Sequence, residues 1–275
     1  MLEKIDIADI VAIAKEAGDA IMEIYQRDFT IEYKDDKSPL TEADTHSNLI
    51  IVKALQEKYP KIPILSEEGK EIAYETRKAW EFFWLIDPID GTKEFIKKND
   101  EFTVNIALIH NHEPVLGVVY APALGDMYYA KQGNGAYKLR VASRWSMVDG
   151  EDALAGAEIL PLAEYAERSE LVVVASKSHM SPETEVFINA LTTNDQRPTT
   201  ISKGSSLKLC MVAEGEADIY PRLAPTMEWD TAAADAIVRE SGKMTYQYEA
   251  DAEHSGMTPV VYNKENLLNP WFVVR

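Results

Sequence analysis

Two carboxylates, Asp87 and Asp90, stand on either side of a proline at the end of an apolar run, FFWLIDPIDGT. Further acids fall at comparable places: Glu67 and Glu68 directly after IPILS, and Asp230 in PTMEWD, where a helical pattern begins. Acids crowded at the ends of elements repel one another, so either some take up protons or a cation joins them. Oxygen donors without a nearby cysteine or a His-x-x-x-His spacing suit Mg2+ or Mn2+ rather than Zn2+. Pro88 sets the turn and the Ile89 carbonyl offers one more oxygen. Gly91 and Thr92 then place backbone N–H groups at a helix start, where an anion such as phosphate is favoured. Acidic ligands beside an amide nest are the parts of a metal-assisted phosphate ester hydrolysis. Each acid taken singly also has a plainer explanation, because Asp-Pro and Asp-Gly make turns and Glu-Glu-Gly is a common solvated loop. The joint pattern asks for more than turns.

These side chains need elements to carry them. IDIADIVAIAKEAGDAIMEIY repeats apolar residues near a 3.6-residue period (Ile7, Val11, Ala14, Ile21, Ile24), which predicts an amphipathic helix. DDKSPLTEADTHSNLI is a turn running into a second helix, with Thr41 as N-cap, Asp44 three positions on, and Leu49, Ile50 and Leu55 turned to a core. IPIL, FFWLI, FTVNIALI, PVLGVVYAP, DMYYA and GNGAYKL read as strands, FFWLI ending at Asp87 and HNHEP turning between two of the others. The acidic, Ala-rich stretch from about 140 to 168 is a candidate junction between two halves. Beyond it, LVVVAS, a helix at 182–192, TTIS, a helix from Ser205 to Ala213, ADIYP, a helix from Trp229 to Ser241 and a late PVVYN strand alternate in α/β fashion. Strand ends that converge on one edge would bring the acids together.

Composition narrows the partners. The 275 residues carry 28 basic against 46 acidic side chains, a net charge of −18, which argues against a broad nucleic-acid surface. A small anionic substrate still fits if bound cations or a local donor cluster reverse the field. No apolar run reaches a membrane span, and MLEKIDIADI has the acids and period of a helix rather than the blocks of a signal peptide. The single cysteine, Cys210, suits a reducing cytoplasm and sits among apolar neighbours as a core residue. His46, His110, His112 and His254 read as surface or turn residues.

The motifs SPLTEAD (38–44), ILSEEG (64–69), DPIDGT (87–92) and PTMEWDTAAADAI (225–237), in that order, resemble the inositol monophosphatase superfamily across nearly the whole chain. DGTKEFI with EFTVNIALI, SKSH (176–179) and GSSLKLCMVAEGEADIYPR (204–222) resemble its 3'(2'),5'-bisphosphate nucleotidase branch most. The resemblance implies an α+β layered αβαβα sandwich, in an N-terminal α+β half (about 1–140) and a C-terminal α/β half (about 141–275), with the metal site between them. It implies two Mg2+ ions, replaceable by Mn2+: one on Glu67, Asp87 and the Ile89 carbonyl, a second on Asp87, Asp90 and Asp230. A third, weaker ion would share Glu67. Asp44, Thr92 and Glu67 form the implied catalytic set, with Asp44 and Thr92 orienting or deprotonating a metal-activated water for in-line attack. The substrate would lie against Glu67, Ile89, Asp90, the Gly91 and Thr92 amides and Asp230. Ser176, His179, Gly204 and Lys208 match nucleotide-contacting positions, and Arg222 is a candidate for the second phosphate. The implied reaction takes adenosine 3',5'-bisphosphate to AMP and phosphate. Hydrolysis of an inositol or sugar monophosphate stays open beside it, as does a non-catalytic nucleotide or metal sensor. Relatives occur as monomers and homodimers, and some attach peripherally to the inner face of the membrane.

Overall fold

The structure is a computed structural model that describes residues 1–33, 39–141, 154–166, 169–176, 180–191, 197–249 and 258–275. Its first helix, α1 (Ile7–Tyr25), starts where Asp6 accepts the Ala8 N–H at 3.0 Å. A short hairpin, β1 (Ile31–Tyr33) with β2 (Pro39–Thr41), leads into α2 (Glu42–Lys58). Then come β3 (Ile64–Ser66), α3 (Tyr74–Arg77), β4 (Phe82–Asp90) and α4 (Thr92–Ile96). Four antiparallel strands follow: β5 (Thr103–His110), β6 (Glu113–Ala121), β7 (Asp126–Lys131) and β8 (Ala136–Arg140). After β9 (Glu158–Ile159) the order is β10 (Val172–Ala175), α5 (Pro182–Ala190), β11 (Thr199–Ser202), α6 (Leu207–Glu214), β12 (Tyr220–Arg222) and α7 (Glu228–Glu240). β13 (Thr245–Gln247) and β14 (Phe272–Val274) end the chain.

Seven strands form one sheet in the order β3-β4-β5-β6-β7-β8-β9, so its pairing continues past residue 140. Both faces of this sheet are covered, which is why β4 reads as an unbroken apolar run instead of an alternating one. Trp84 and Ile86 pack with α1 and α2, while Phe83 and Leu85 pack with α6 and α7. On the far side of α6 lie the parallel pair β10-β11 and the small sheet β12-β14-β13, with α5 against β12. The layers are therefore helix, sheet, helix, sheet and helix, the expected αβαβα sandwich.

One glycine sets how closely two layers approach. A Cβ on Gly117 of β6 would lie 2.0 Å from the Ala233 carbonyl oxygen of α7 and 2.9 Å from the Ala236 Cβ. The small residues of TAAADA face it, so α7 lies almost on the strand and carries Asp230, in its first turn, to the sheet.

Three expectations are corrected. Leu49 is 61 % exposed and faces solvent; Ile51 and Leu55 are the large apolar residues that α2 buries. PVVYN contributes only an isolated bridge, Tyr246 to Pro259, on the edge of β13 that β14 leaves free, where Pro259 has no N–H to extend a ladder. The strand β4 does not end with FFWLI at Asp87 but continues to Asp90 through an irregularity that matters for the site.

Candidate active site

In a regular strand, side chains three positions apart point to opposite faces. Asp87 and Asp90 escape this rule. Asp87 pairs with Asn105 and Asp90 with Thr103, so three steps on β4 match two on β5. The extra residue is a bulge, and it returns both aspartates to the sheet face that Asn105 and Thr103 share. Pro88 lies within it, where no ladder hydrogen bond is needed. Because β3 runs parallel to β4, its C-terminal end delivers Glu67 to the same edge, where the Glu67 N–H donates to the Ile86 carbonyl at 3.1 Å. The second parallel pair, β10-β11, likewise ends in Ser176 and in the 203–206 loop. Convergent strand ends build the site.

Helix α2 fixes that edge from below. Thr41 and Asp44 form a capping box: the Thr41 N–H and hydroxyl donate to Asp44 Oδ2 at 2.8 and 2.6 Å. The other oxygen, Oδ1, accepts the Thr92 hydroxyl at 3.1 Å, so one carboxylate both starts the helix and reaches the turn after β4. Burial raises the Asp44 pKa, opposed by the hydrogen bonds from Thr41 and Thr92. One turn further along the same face, Ser47 donates to the Pro88 carbonyl at 2.9 Å, and Asn48 accepts from Ser66, next to Glu67, at 2.7 Å. Neither was singled out from the sequence, although DTHSN places them at i+3 and i+4 from Asp44, the spacing of one helix face.

Glu67, Asp87 and Asp230 each bring a carboxylate oxygen within 4.8 Å of the others. Asp230 is anchored by the Met227 N–H at 2.8 Å, and Asp87 accepts the Ile89 N–H at 3.0 Å. The Ile89 carbonyl, itself 3.4 Å from the Thr92 hydroxyl, sits at the same turn. Asp90 flanks this trio and accepts the Ser206 N–H at 2.5 Å. The electrostatics are those of acids held together. Burial first, then Glu67, Asp90 and Asp230, push the Asp87 carboxyl well above the usual range. Asp230 is raised by burial and by Asp90 and Glu67. Asp90 is pushed up to about 6 by burial, with Lys208 and the Ser206 amide opposing the rise. All donors are oxygens, with no cysteine or histidine in the cluster, so the set fits a hard divalent cation.

One cleft gathers most of the remaining candidates. Asp90, Gly91, Ser176, Gly204, Lys208, Arg222 and Asp230 all line it. Glu67 faces a neighbouring cavity beside Trp229 and Arg77. Lys208 is 6 % exposed; its ammonium donates to the Ser205 carbonyl at 2.5 Å and lies 5.6 Å from the Tyr220 ring. Burial lowers its pKa to about 8, resisted by Asp90, Glu94 and Glu101. Arg222 donates through Nη2 to the Pro225 carbonyl at 2.9 Å, and its buried Nε finds no acceptor among the described residues. His179 lies outside the described residues. Gly204 has a packing reason to be glycine: a Cβ there would lie 2.8 Å from both the Cβ and the carbonyl oxygen of Glu101. Cys210 is fully buried on α6, as expected.

Comparison with known proteins places this geometry. Residues 1–269 match a family model described as the inositol monophosphatase family. The chain is 43 % identical over 267 residues to the 3'(2'),5'-bisphosphate nucleotidase CysQ of Salmonella typhimurium, covering 96 % of this chain and 97 % of that protein. It is similar to the crystal structure of CysQ from Bacteroides thetaiotaomicron, with 46 % identity, a TM-score of 0.84, and coverage of 97 % and 96 % of the two chains. An IMPase from Thermotoga maritima superposes with a TM-score of 0.69 at 26 % identity, covering 96 % of this chain and 89 % of that one.

Proposed function

This chain belongs to the inositol monophosphatase family, and from that premise we propose that it hydrolyses adenosine 3',5'-bisphosphate to AMP and phosphate, as a 3'(2'),5'-bisphosphate nucleotidase. The observation that carries the substrate is the placement of Lys208 and Arg222 on the same cleft as Asp90 and Asp230. A phosphate at the acidic cluster leaves a second phosphate on the same ribose within reach of two cations, which an inositol monophosphate would not use.

Glu67, Asp87 and Asp230, whose carboxylate oxygens lie within 4.8 Å of one another, would with Asp90 and the Ile89 carbonyl hold Mg2+, two ions being the number that the family resemblance implies. Such ions, when bound, supply charge neutralisation and a lowered pKa for water. The chain does the rest. Thr92 donates its hydroxyl hydrogen to Asp44 Oδ1, so Thr92 can accept a proton from an attacking water while passing its own to Asp44. The elevated pKa of Asp44 makes it a better resting place for that proton than an exposed aspartate. The Gly91 and Thr92 amides, at the turn leaving β4, face the phosphate that is cleaved. Ser47 and Asn48 hold the two ligand-bearing strand ends in register. Ser47→Ala therefore weakens Mg2+ binding by about 10-fold or more, the usual cost of losing an outer support of a metal ligand. A calorimetric Mg2+ titration reads this, and an unchanged affinity refutes the role.

Phosphate release from adenosine 3',5'-bisphosphate and inositol 1-phosphate, measured in parallel with Mg2+ and with EDTA, tests the whole proposal. The expected result is an EDTA-sensitive preference for the nucleotide. Lys208→Ala should raise KM for the bisphosphate more than for a simple monophosphate, because it removes one of the two cations that meet the second phosphate. A preference for inositol 1-phosphate keeps the acidic cluster and overturns the substrate.

A further inference from the structure

The Glu101 side chain stands beside the cleft proposed above as a phosphate site, which is an odd place for an acid. Its carboxylate is turned to other work. Oε2 accepts the Gly204 N–H at 2.8 Å, and Oε1 lies 3.6 Å from the Lys203 ammonium. Its backbone is wedged between two turns: its carbonyl oxygen lies 3.2 Å from where a Cβ on Gly91 would be and 2.8 Å from where one on Gly204 would be. The turn after β4 and the turn after β11 thus meet on one residue.

The contact continues along β5. Glu101 lies two residues before this strand, and Thr103 and Asn105, at alternate positions within it, share one face. Thr103 Oγ1 is 2.8 Å from the Ser206 hydroxyl, which donates to Asn105 Oδ1 at 2.9 Å, while the Ser206 N–H donates to Asp90. The EFTVN segment is therefore a ladder to which residues 204–206 are strapped. Between the two straps Ser205 takes φ +45°, a conformation that a non-glycine residue keeps only when its surroundings impose it. Its carbonyl is the one that receives the Lys208 ammonium. The position of that cation depends on the turn, and the turn depends on its straps.

We propose that Glu101 is a positioning residue for substrate selectivity: it fixes the Gly204–Lys208 segment against Asp90, so that Lys208 stands where the second phosphate of the substrate is recognised. This rests on the bisphosphate reading above. The half-buried ion pair with Lys203, at 3.6 Å and reached by solvent, contributes little. The effect comes from the bond to the Gly204 N–H, which a glutamine at 101 can still accept.

The test uses Glu101→Ala and Glu101→Gln in the full chain. Steady-state kinetics are measured on adenosine 3',5'-bisphosphate and on adenosine 3'-monophosphate, and amide hydrogen exchange is measured over 203–206 without substrate. Losing a hydrogen bond to a charged acceptor predicts a rise of about tenfold in KM for the bisphosphate with Glu101→Ala. The rise for the monophosphate is several times smaller, exchange at 204–206 is faster, and Glu101→Gln returns both readouts most of the way. Equal KM losses on the two substrates, or a Glu101→Gln as damaged as Glu101→Ala, overturn the proposal. Unchanged exchange in Glu101→Ala overturns the strap itself. A wild-type protein that does not distinguish the two substrates rejects the bisphosphate reading and the selectivity role with it, and the exchange data then report separately on whether the strap exists.

Discussion

Asp90→Asn abolishes phosphate release and leaves the protein folded. Asparagine has nearly the same shape, and its amide oxygen can still accept the Ser206 N–H that Asp90 now accepts at 2.5 Å. What is lost is one negative charge among acids whose proposed task is to hold cations. Losing several kcal/mol of transition-state charge stabilisation corresponds to roughly a 10³-fold fall in rate. Stability should move the other way. Asp90 is among the charges that raise the carboxyl pKa of Asp87 and of Asp230, so in the absence of metal its removal relieves repulsion. The melting temperature of Asp90→Asn in EDTA is therefore expected to equal or exceed that of the unaltered chain, while turnover vanishes. Full turnover by this variant at saturating Mg2+ would falsify the assignment of Asp90 to the catalytic cluster. A variant that is inactive because it is unfolded is distinguished by its melting curve.

The acids of the site were legible in the sequence because each sits where an apolar pattern breaks, and such breaks are visible without any structure. What brings them together was not. That Asp87 and Asp90 share a face depends on a bulge, and a bulge is a relation between two strands, Asp87 to Asn105 and Asp90 to Thr103, which periodicity along one strand cannot reveal. The apolar run through FFWLI showed a buried strand but not its two covered faces, since alternation disappears when both faces are buried. Leu49 was misjudged for a related reason: in a helix with weak amphipathic contrast, propensity does not say which of two adjacent apolar residues turns inward. Ser47 and Asn48 were readable in principle, at the right spacing from Asp44, but their partners are Pro88 and Ser66, remote in sequence. Gly204 lines the cleft, and it also has a packing reason to be glycine that no motif displays, because the Glu101 backbone fills the place of its Cβ. Family resemblance supplied the layer order, which the alternation of elements alone was consistent with but did not select.

Mg2+ is expected to stabilise this protein, and by more at pH 8 than at pH 5. The sign follows from the carboxyls. Asp90 titrates at about 6 in the folded chain against an ordinary value of 3.8, and Asp87 and Asp230 are also raised. An acid whose pKa is raised by folding contributes its full stability below the unfolded value, and loses it as the pH rises through the folded value. For Asp90 alone that window runs from 3.8 to about 6, and for Asp87 and Asp230 the loss likewise comes above the ordinary aspartate range. Metal-free protein thus weakens as these groups ionise, while a bound cation is favoured by the same ionisation because binding displaces their protons. Ligand at one hundred times its Kd adds about 2.7 kcal/mol, which for a chain of this size is a rise of about 5 °C in Tm. The quantity to measure is the difference in Tm between protein in Mg2+ and protein in EDTA, at pH 5, 6, 7 and 8. Other buried acids with raised pKa values, Glu228 and Asp235 among them, affect both samples alike and cancel in that difference. An increment that grows with pH and is much reduced in Asp90→Asn locates the cation on these carboxylates. An increment that stays constant with pH, or survives Asp90→Asn in full, places the ion elsewhere, and the acids at the ends of β3 and β4 would then need another reason to stand so close.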